Sequence, residues 1–345
     1  MIFNKNGNGA SEIKGMIGWI YKSNVFENLV TYLKIAERDL LRIVGPEIYK
    51  YANDHYNGDH YEQEEPAEDA IDYSLQDELV HLMQLPMALI AYRRYAPGVD
   101  LQHSEAGRRI TVTNELKPAF EWMIERDNKN ILSLAHEAID MLLEFLDVQL
   151  IPVSIPAEEE GGEPTESVND IGDTWGSSLA YSQTKSLFIN TTLEFDRVYP
   201  INMSRHLYMT ISPFIREVEN RHIVPIILST RYDSIREKLK DGDLQDEDKK
   251  ILELARVPIA LLTMSIAMKR LSIEVLPDSV VQNYAAIDAK QSHTADSADR
   301  RGLATLLESD GRRELIPLQN YIASLTPVVE TPEVPTNCRK PFFLA

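Results

Sequence analysis

The chain has one cysteine, Cys338, in 345 residues. An intrachain disulfide and a thiolate metal cluster are therefore excluded, and a place in a proline-rich tail argues against a nucleophile. Basic residues are scarce, with 35 Lys and Arg against 54 Asp and Glu and a net charge of −19. Binding nucleic acid depends on cations that displace counterions from phosphate, so a nucleic-acid grip is not expected. The arginines that cluster do so only in pairs: Arg93-Arg94, Arg108-Arg109, Arg300-Arg301 and Arg312-Arg313. Also lacking is the uninterrupted apolar run of roughly twenty residues that a membrane span needs. The opening stretch, MIFNKNGNGASEIKG, has neither a basic start nor an apolar segment before a cleavage site, so a soluble chain made in a cytoplasm is expected.

Signatures of chemistry are equally sparse. No GxGxxG, no phosphate-binding GxxxxGK followed by Ser or Thr, and no GxSxG occurs. His136-Glu137 begins like a zinc-binding HExxH, but Asp140 stands where the second histidine belongs. These residues read as the polar flank of an amphipathic helix. Asp241, Asp243, Asp246 and Asp248 suggest a calcium loop until its sixth place proves to be Asp246 instead of glycine and its twelfth Leu252 instead of glutamate. His55 and His60 beside the acid-rich stretch 59–69 read as a solvated loop. The expectation is no catalytic, cofactor-binding or metal residue, and hence no enzyme.

What the chain does contain is itself twice. FENLVTYLKIAE (26–37) lies over YMTISPFIREVE (208–219), pairing Phe26 with Tyr208, Leu33 with Ile215 and Glu37 with Glu219. LVHLMQLPMALI (79–90) lies over ILELARVPIALL (251–262), identical at Leu82/Leu254, Pro86/Pro258, Ala88/Ala260 and Leu89/Leu261. Phe26, Leu29, Val30, Leu33, Ala36 and Leu40 follow helical spacing. The second block predicts a helix over 75–96 and again over 247–270, each bent by its interior proline. Strand-like residues around turn formers predict β-hairpins in 99–113 and 271–284. A third helix is predicted over 118–147, matched in the second copy by 298–324, where Asp310-Gly311 reads as an interruption.

The expected fold is mainly α: two tandem, diverged helical-bundle modules, each with a β-hairpin between its helices, plus an extended C-terminal arm. The boundaries are an N-terminal segment 1–19, module one 20–150, an acidic connector 151–185 rich in Pro, Gly and Ser, module two 186–325 and the arm 326–345. Prolines in the arm forbid a helix, and it closes on the apolar tip Phe342-Phe343-Leu344.

Two stretches carry a resemblance. Ala36-Glu37-Arg38-Asp39-Leu40 followed by Ile43-Val44-Gly45-Pro46-Glu47-Ile48-Tyr49, then a polar loop and an apolar helix, resembles the head-tail connector (adaptor) proteins of tailed phages. Lys117-Pro118-Ala119-Phe120-Glu121-Trp122, Leu187-Phe188-Ile189-Asn190-Thr191 and Ile201-Asn202-Met203-Ser204-Arg205 resemble, over roughly 25–285, a two-lobed family of Bacteroidetes phages and prophages. The resemblance implies a virion structural protein at the neck or portal vertex, in a homo-oligomeric ring of roughly twelve copies closed by heterologous contacts. Portal and downstream tail or neck proteins would be its partners, DNA would only pass through its channel, and no membrane or cofactor is implied. The residues expected at interfaces are Phe342, Phe343, Leu344, Arg108, Arg109, Val280 and Val281. A stopper or tail-tube ring, or a non-viral helical scaffold for a protein partner, are the alternatives.

Overall fold

Helical periodicity in the two repeated blocks becomes two helical cores. The computed structural model describes residues 1–18, 26–61, 73–99, 102–104, 107–109, 120–155, 165–241, 243–271 and 297–325. The first half holds α1 (Gly9–Met16), α2 (Phe26–Val44), α3 (Pro46–Asn57), α4 (Ser74–Val99), the strands β1 (Gln102–Ser104) and β2 (Gly107–Arg109), and α5 (Glu121–Val148). After the strands β3 (Val153–Ile155) and β4 (Thr165–Ser167) come the short helices α6 (Asp170–Ser177), α7 (Leu179–Lys185) and α8 (Thr192–Asp196). The second half continues with α9 (Arg205–Val218), a π-helical turn (Glu219–Ile223), α10 (Val224–Ile227), α11 (Ser229–Asp241), α12 (Asp246–Arg270), α13 (Ser297–Arg313) and α14 (Leu315–Leu325).

Each module is built around its proline-bearing helix. In module one α2 and α5 both pack on α4; in module two α9 and α13 pack on α12. Leu29, Leu33, Ala36, Leu40 and Val44 are the buried face of α2, spaced three and four apart as one helical stripe requires. Pro86 and Pro258 are both buried inside their helices. Among the described residues α12 alone is long and apolar enough to cross a membrane, but 67% of its apolar window is buried against the rest of the chain. That composition belongs to a core helix here.

The duplication reaches further than the two blocks. The carbonyl of Ile2 accepts from Gln84 at 2.7 Å and that of Phe188 from Arg256 at 3.1 Å, each donor two residues before its module's proline. Glu12 accepts from the amide of Asn4 and Glu194 from that of Asn190. Met1-Ile2-Phe3-Asn4 is therefore the counterpart of Leu187-Phe188-Ile189-Asn190. Glu37 accepts the Tyr49 hydroxyl at 2.6 Å, and its counterpart Glu219 accepts the Tyr232 hydroxyl at 2.7 Å. The helix breaks at Gly45 (φ 86°, ψ 160°) in module one and at Leu228 (φ 69°, ψ 149°) in module two.

These pairs explain the π-helical turn. Glu37 pairs with Glu219, but Val44 pairs with Ile227 and Tyr49 with Tyr232, so module two carries one extra residue just after Glu219. A π turn absorbs one inserted residue without moving the rest of the helix off its buried face. Ile223 and Ile227 accordingly stay in the core where Leu40 and Val44 sit in module one.

Several expectations need correction. Of the hairpin expected in each module, the first is only a short ribbon, with β1 pairing with β2 over three residues a side, and the second, in 271–284, lies outside the described residues beyond Leu271. Three-residue ribbons cannot support themselves, and the fold is carried by helices. Asp310-Gly311 does not interrupt the last helix; α13 runs through to Arg313 and the break falls at Glu314. Glycine is needed there for proximity, since a Cβ on Gly311 would meet Leu262 Cγ at 2.7 Å.

The segment 1–19 is not separate either, because Ile2, Phe3, Ile13 and Ile17 are buried in the core of module one. Nor is 151–185 wholly a connector. Asn169 caps α6 by accepting from Gly172, and Ile171 and Trp175 join the same core.

Candidate functional site

The two modules meet along one polar stripe of α5. His136, Asp140, Glu144 and Asp147 recur at intervals of three and four on a helix otherwise apolar toward its core, and so share one face. That face receives the start of α9. Ser204 caps α9 by accepting from Leu207, and Asp140 accepts from the amide of His206 at 2.7 Å. A carboxylate there satisfies amides that the first turn leaves without helical partners and favours the positive end of the helix dipole. Arg205 lies 3.2 Å from Asp147 and 3.9 Å from Glu144. Asp147 also accepts from the indole of Trp175 at 3.1 Å, which ties α6 to the same joint.

Two histidines face each other here, with the rings of His136 and His206 4.9 Å apart. Burial pushes His206 down to about 4, helped by the nearby His136, so it is neutral at pH 7. Burial raises Asp140, while the amides of His206 and Arg205 and the Ser204 hydroxyl pull it back. His136 and Asp140 are therefore joint residues more than a polar flank. Among the described residues no three His, Cys, Asp or Glu side chains gather so as to hold a metal ion. A small cavity of about 190 Å³ opens beside the joint, lined by Asp147, Trp175, Tyr181, Lys185, Arg205 and Tyr208 among others.

The other sequence candidates fall elsewhere. Asp248 is buried and paired with Lys238 at 2.7 Å, so it is no calcium ligand. His55 meets Asp77 at 2.6 Å, and His60 stacks on Tyr73 with centroids 4.8 Å apart, which holds both histidines near the start of α4, while the acid-rich stretch beyond Tyr61 lies outside the described residues. Arg108 and Arg109 lie in β2. Val280, Val281, Phe342, Phe343 and Leu344 lie outside the described residues.

An apolar surface went unread in the sequence. Between Trp122 and Asn130 no residue of α5 is buried; its core face begins only at Ile131. The overhang is about 15 Å long at the usual helical rise. Phe120 is 66% exposed and Trp122 57%, with Met123 and Ile124 exposed beside them. The signal was available, since four bulky apolar residues in five positions leave no polar face. It was hidden because periodicity alone does not say where a long helix leaves its core.

Residues 40–151, from the end of α2 to just past α5, are similar to a family of unknown function (DUF6712). No curated protein and no solved structure matches the chain.

Proposed function

We propose that this chain is a virion structural protein, a head-tail connector whose copies form a ring at the portal vertex, joining capsid to tail and letting DNA pass. The observation that carries the assembly part of this reading is the α5 overhang. A helix end of this length is not stable in isolation, and Phe120, Trp122, Met123 and Ile124 are turned away from their own module. Contiguous exposed apolar surface of this kind marks contact with another protein. The place at a phage neck rests on the resemblance of 36–49, 117–122, 187–191 and 201–205 to connector and prophage proteins.

The charge fits the same role, because a strongly acidic surface lets DNA slide without adhering. The joint supports it too: two modules held by Asp140, Asp147 and Arg205 act as one subunit with two related surfaces. Particle images of the purified protein, alone and co-expressed with a phage portal protein, test the reading. The expected result is a closed ring that copurifies with portal. A ring that binds only tail components would assign it to the tube or stopper level, and a strict monomer with and without portal would overturn it.

A further inference from the structure

The cavity beside the joint is walled by both modules. Leu143 and Asp147 of α5 and Trp175 of α6 stand on one side, and Asn190, Thr192 and Arg205 from the start of module two on the other. Tyr181 and Lys185 of α7, which leads from one module into the next, also line it. Its walls are fixed by hydrogen bonds of their own. Thr191 caps α8 by accepting from Glu194, the Tyr208 hydroxyl donates to the Ile189 carbonyl at 2.7 Å, and Asp196 accepts from the amides of Ile201 and Met203. The last pair holds Met203 at φ 56°, a left-handed backbone that side chains adopt only at a cost, and Met203 joins the wall. A site formed in advance loses little binding energy to ordering.

The charged groups of the wall do not cancel. Asp147 lies 3.2 Å from Arg205 and neutralises it. Lys185 is left over: among the described residues no carboxylate pairs with it, and its ammonium lies over the Tyr181 ring, 4.8 Å from the centroid. This is an uncompensated cation on a chain of net charge −19. Half-buried as it is, Lys185 attracts an anion in the same sheltered space more strongly than it would in open water. Donors for the oxygens of such an anion stand on the same wall. The side-chain amide of Asn190 and the hydroxyls of Thr192 and Tyr181 have no hydrogen-bond partner among the described residues. Most of the remaining wall is apolar or aromatic, with Leu143, Trp175, Leu193 and Met203. The volume of about 190 Å³ suits one ring, since an apolar cavity of about 150 Å³ admits benzene.

We propose that this cavity binds a small monocarboxylate with an aromatic or aliphatic body, its carboxylate on Lys185 and its body between the two modules. Such a ligand touches α5 and the start of α9 at once, so it tightens the joint. Coupling of the modules then answers to a small molecule. The ring reading is not needed for this.

The test uses the full-length chain and benzoate as the probe. Titration calorimetry should show one saturable site per chain, and benzoate should raise the melting temperature further as its concentration grows. Lys185→Met should lose both effects while keeping the circular dichroism of the natural chain, so the loss is not loss of fold. Lys129→Met, on the exposed overhang of α5, should keep both. Two more probes separate charge from body: acetate lacks the ring and benzyl alcohol lacks the charge, and each should bind at least about tenfold more weakly than benzoate. Benzoate that leaves the natural chain unchanged, or that binds Lys185→Met equally well, overturns the site. Benzyl alcohol binding as tightly as benzoate overturns the carboxylate, and acetate binding as tightly overturns the apolar body.

Discussion

Single residues set opposing pH responses within module two. Glu219 is fully buried, accepts from the Phe188 amide at 2.6 Å and from Tyr232, and is pushed up to about 7 by burial, with those two hydrogen bonds opposing the shift. A carboxyl whose folded value is raised contributes stability that is fully present below its ordinary value of 4.5 and is lost as pH rises through 7. His206, lowered to about 4, contributes stability that is present above its ordinary 6.5 and is lost as pH falls through 4. Between pH 4.5 and 6.5 the two slopes oppose each other. Glu219→Gln should expose the histidine alone: chemical denaturation from pH 7 to 4 will show stability falling on acidification more steeply than in the natural chain. Conversely, His206→Asn should leave a protein that gains stability as pH falls from 7 to 5. Parallel profiles in all three proteins would refute the assignment. Tyr232→Phe removes one of Glu219's two partners and is expected to cost about 1–3 kcal/mol. Tyr49→Phe should cost less, because Glu37 keeps 20% of its side chain in water.

Among elements, the glycines report where helices touch. A Cβ on Gly172 would meet the carbonyl oxygen of Gln149 at 2.1 Å, so α6 lies directly against the end of α5. Gly172→Ala is expected to destabilise by about 1–3 kcal/mol, the range for forcing extra volume into packed structure, even though alanine is the better helix former. Gly311→Val should behave likewise against Leu262. Melting temperatures check both; an alanine at 172 that raises stability would show that α6 is not anchored there. The π turn after Glu219 was not visible as an element, because an insertion of one residue leaves no compositional trace. Only the paired positions Gly45/Leu228 and Tyr49/Tyr232 on its far side reveal it.

At the scale of the whole molecule the joint decides whether two modules behave as one. Asp140→Ala combined with Asp147→Ala removes the carboxylate that accepts from the His206 amide at the start of α9 and the nearer partner of Arg205. Losing an acceptor at a helix start costs about 1 kcal/mol, and a calorimetric transition that is single in the natural chain should divide into two. A scan that stays single would mean that apolar contacts alone couple the modules. The sequence by itself determined the helical class, the existence of two copies, the two helices that carry Pro86 and Pro258 and the pairing of Glu37 with Glu219, because periodicity and repetition are properties of order along the chain. It did not locate where each copy starts. Met1-Ile2-Phe3-Asn4 and Leu187-Phe188-Ile189-Asn190 are too short to align unaided, and their kinship shows only in the carbonyls held by Gln84 and Arg256. Nor did it show the joint, the overhang of α5 or the exposure of Leu228. Those depend on which helix faces meet and which are left uncovered, and that is settled only when the chain folds and distant residues compete for the same buried surface.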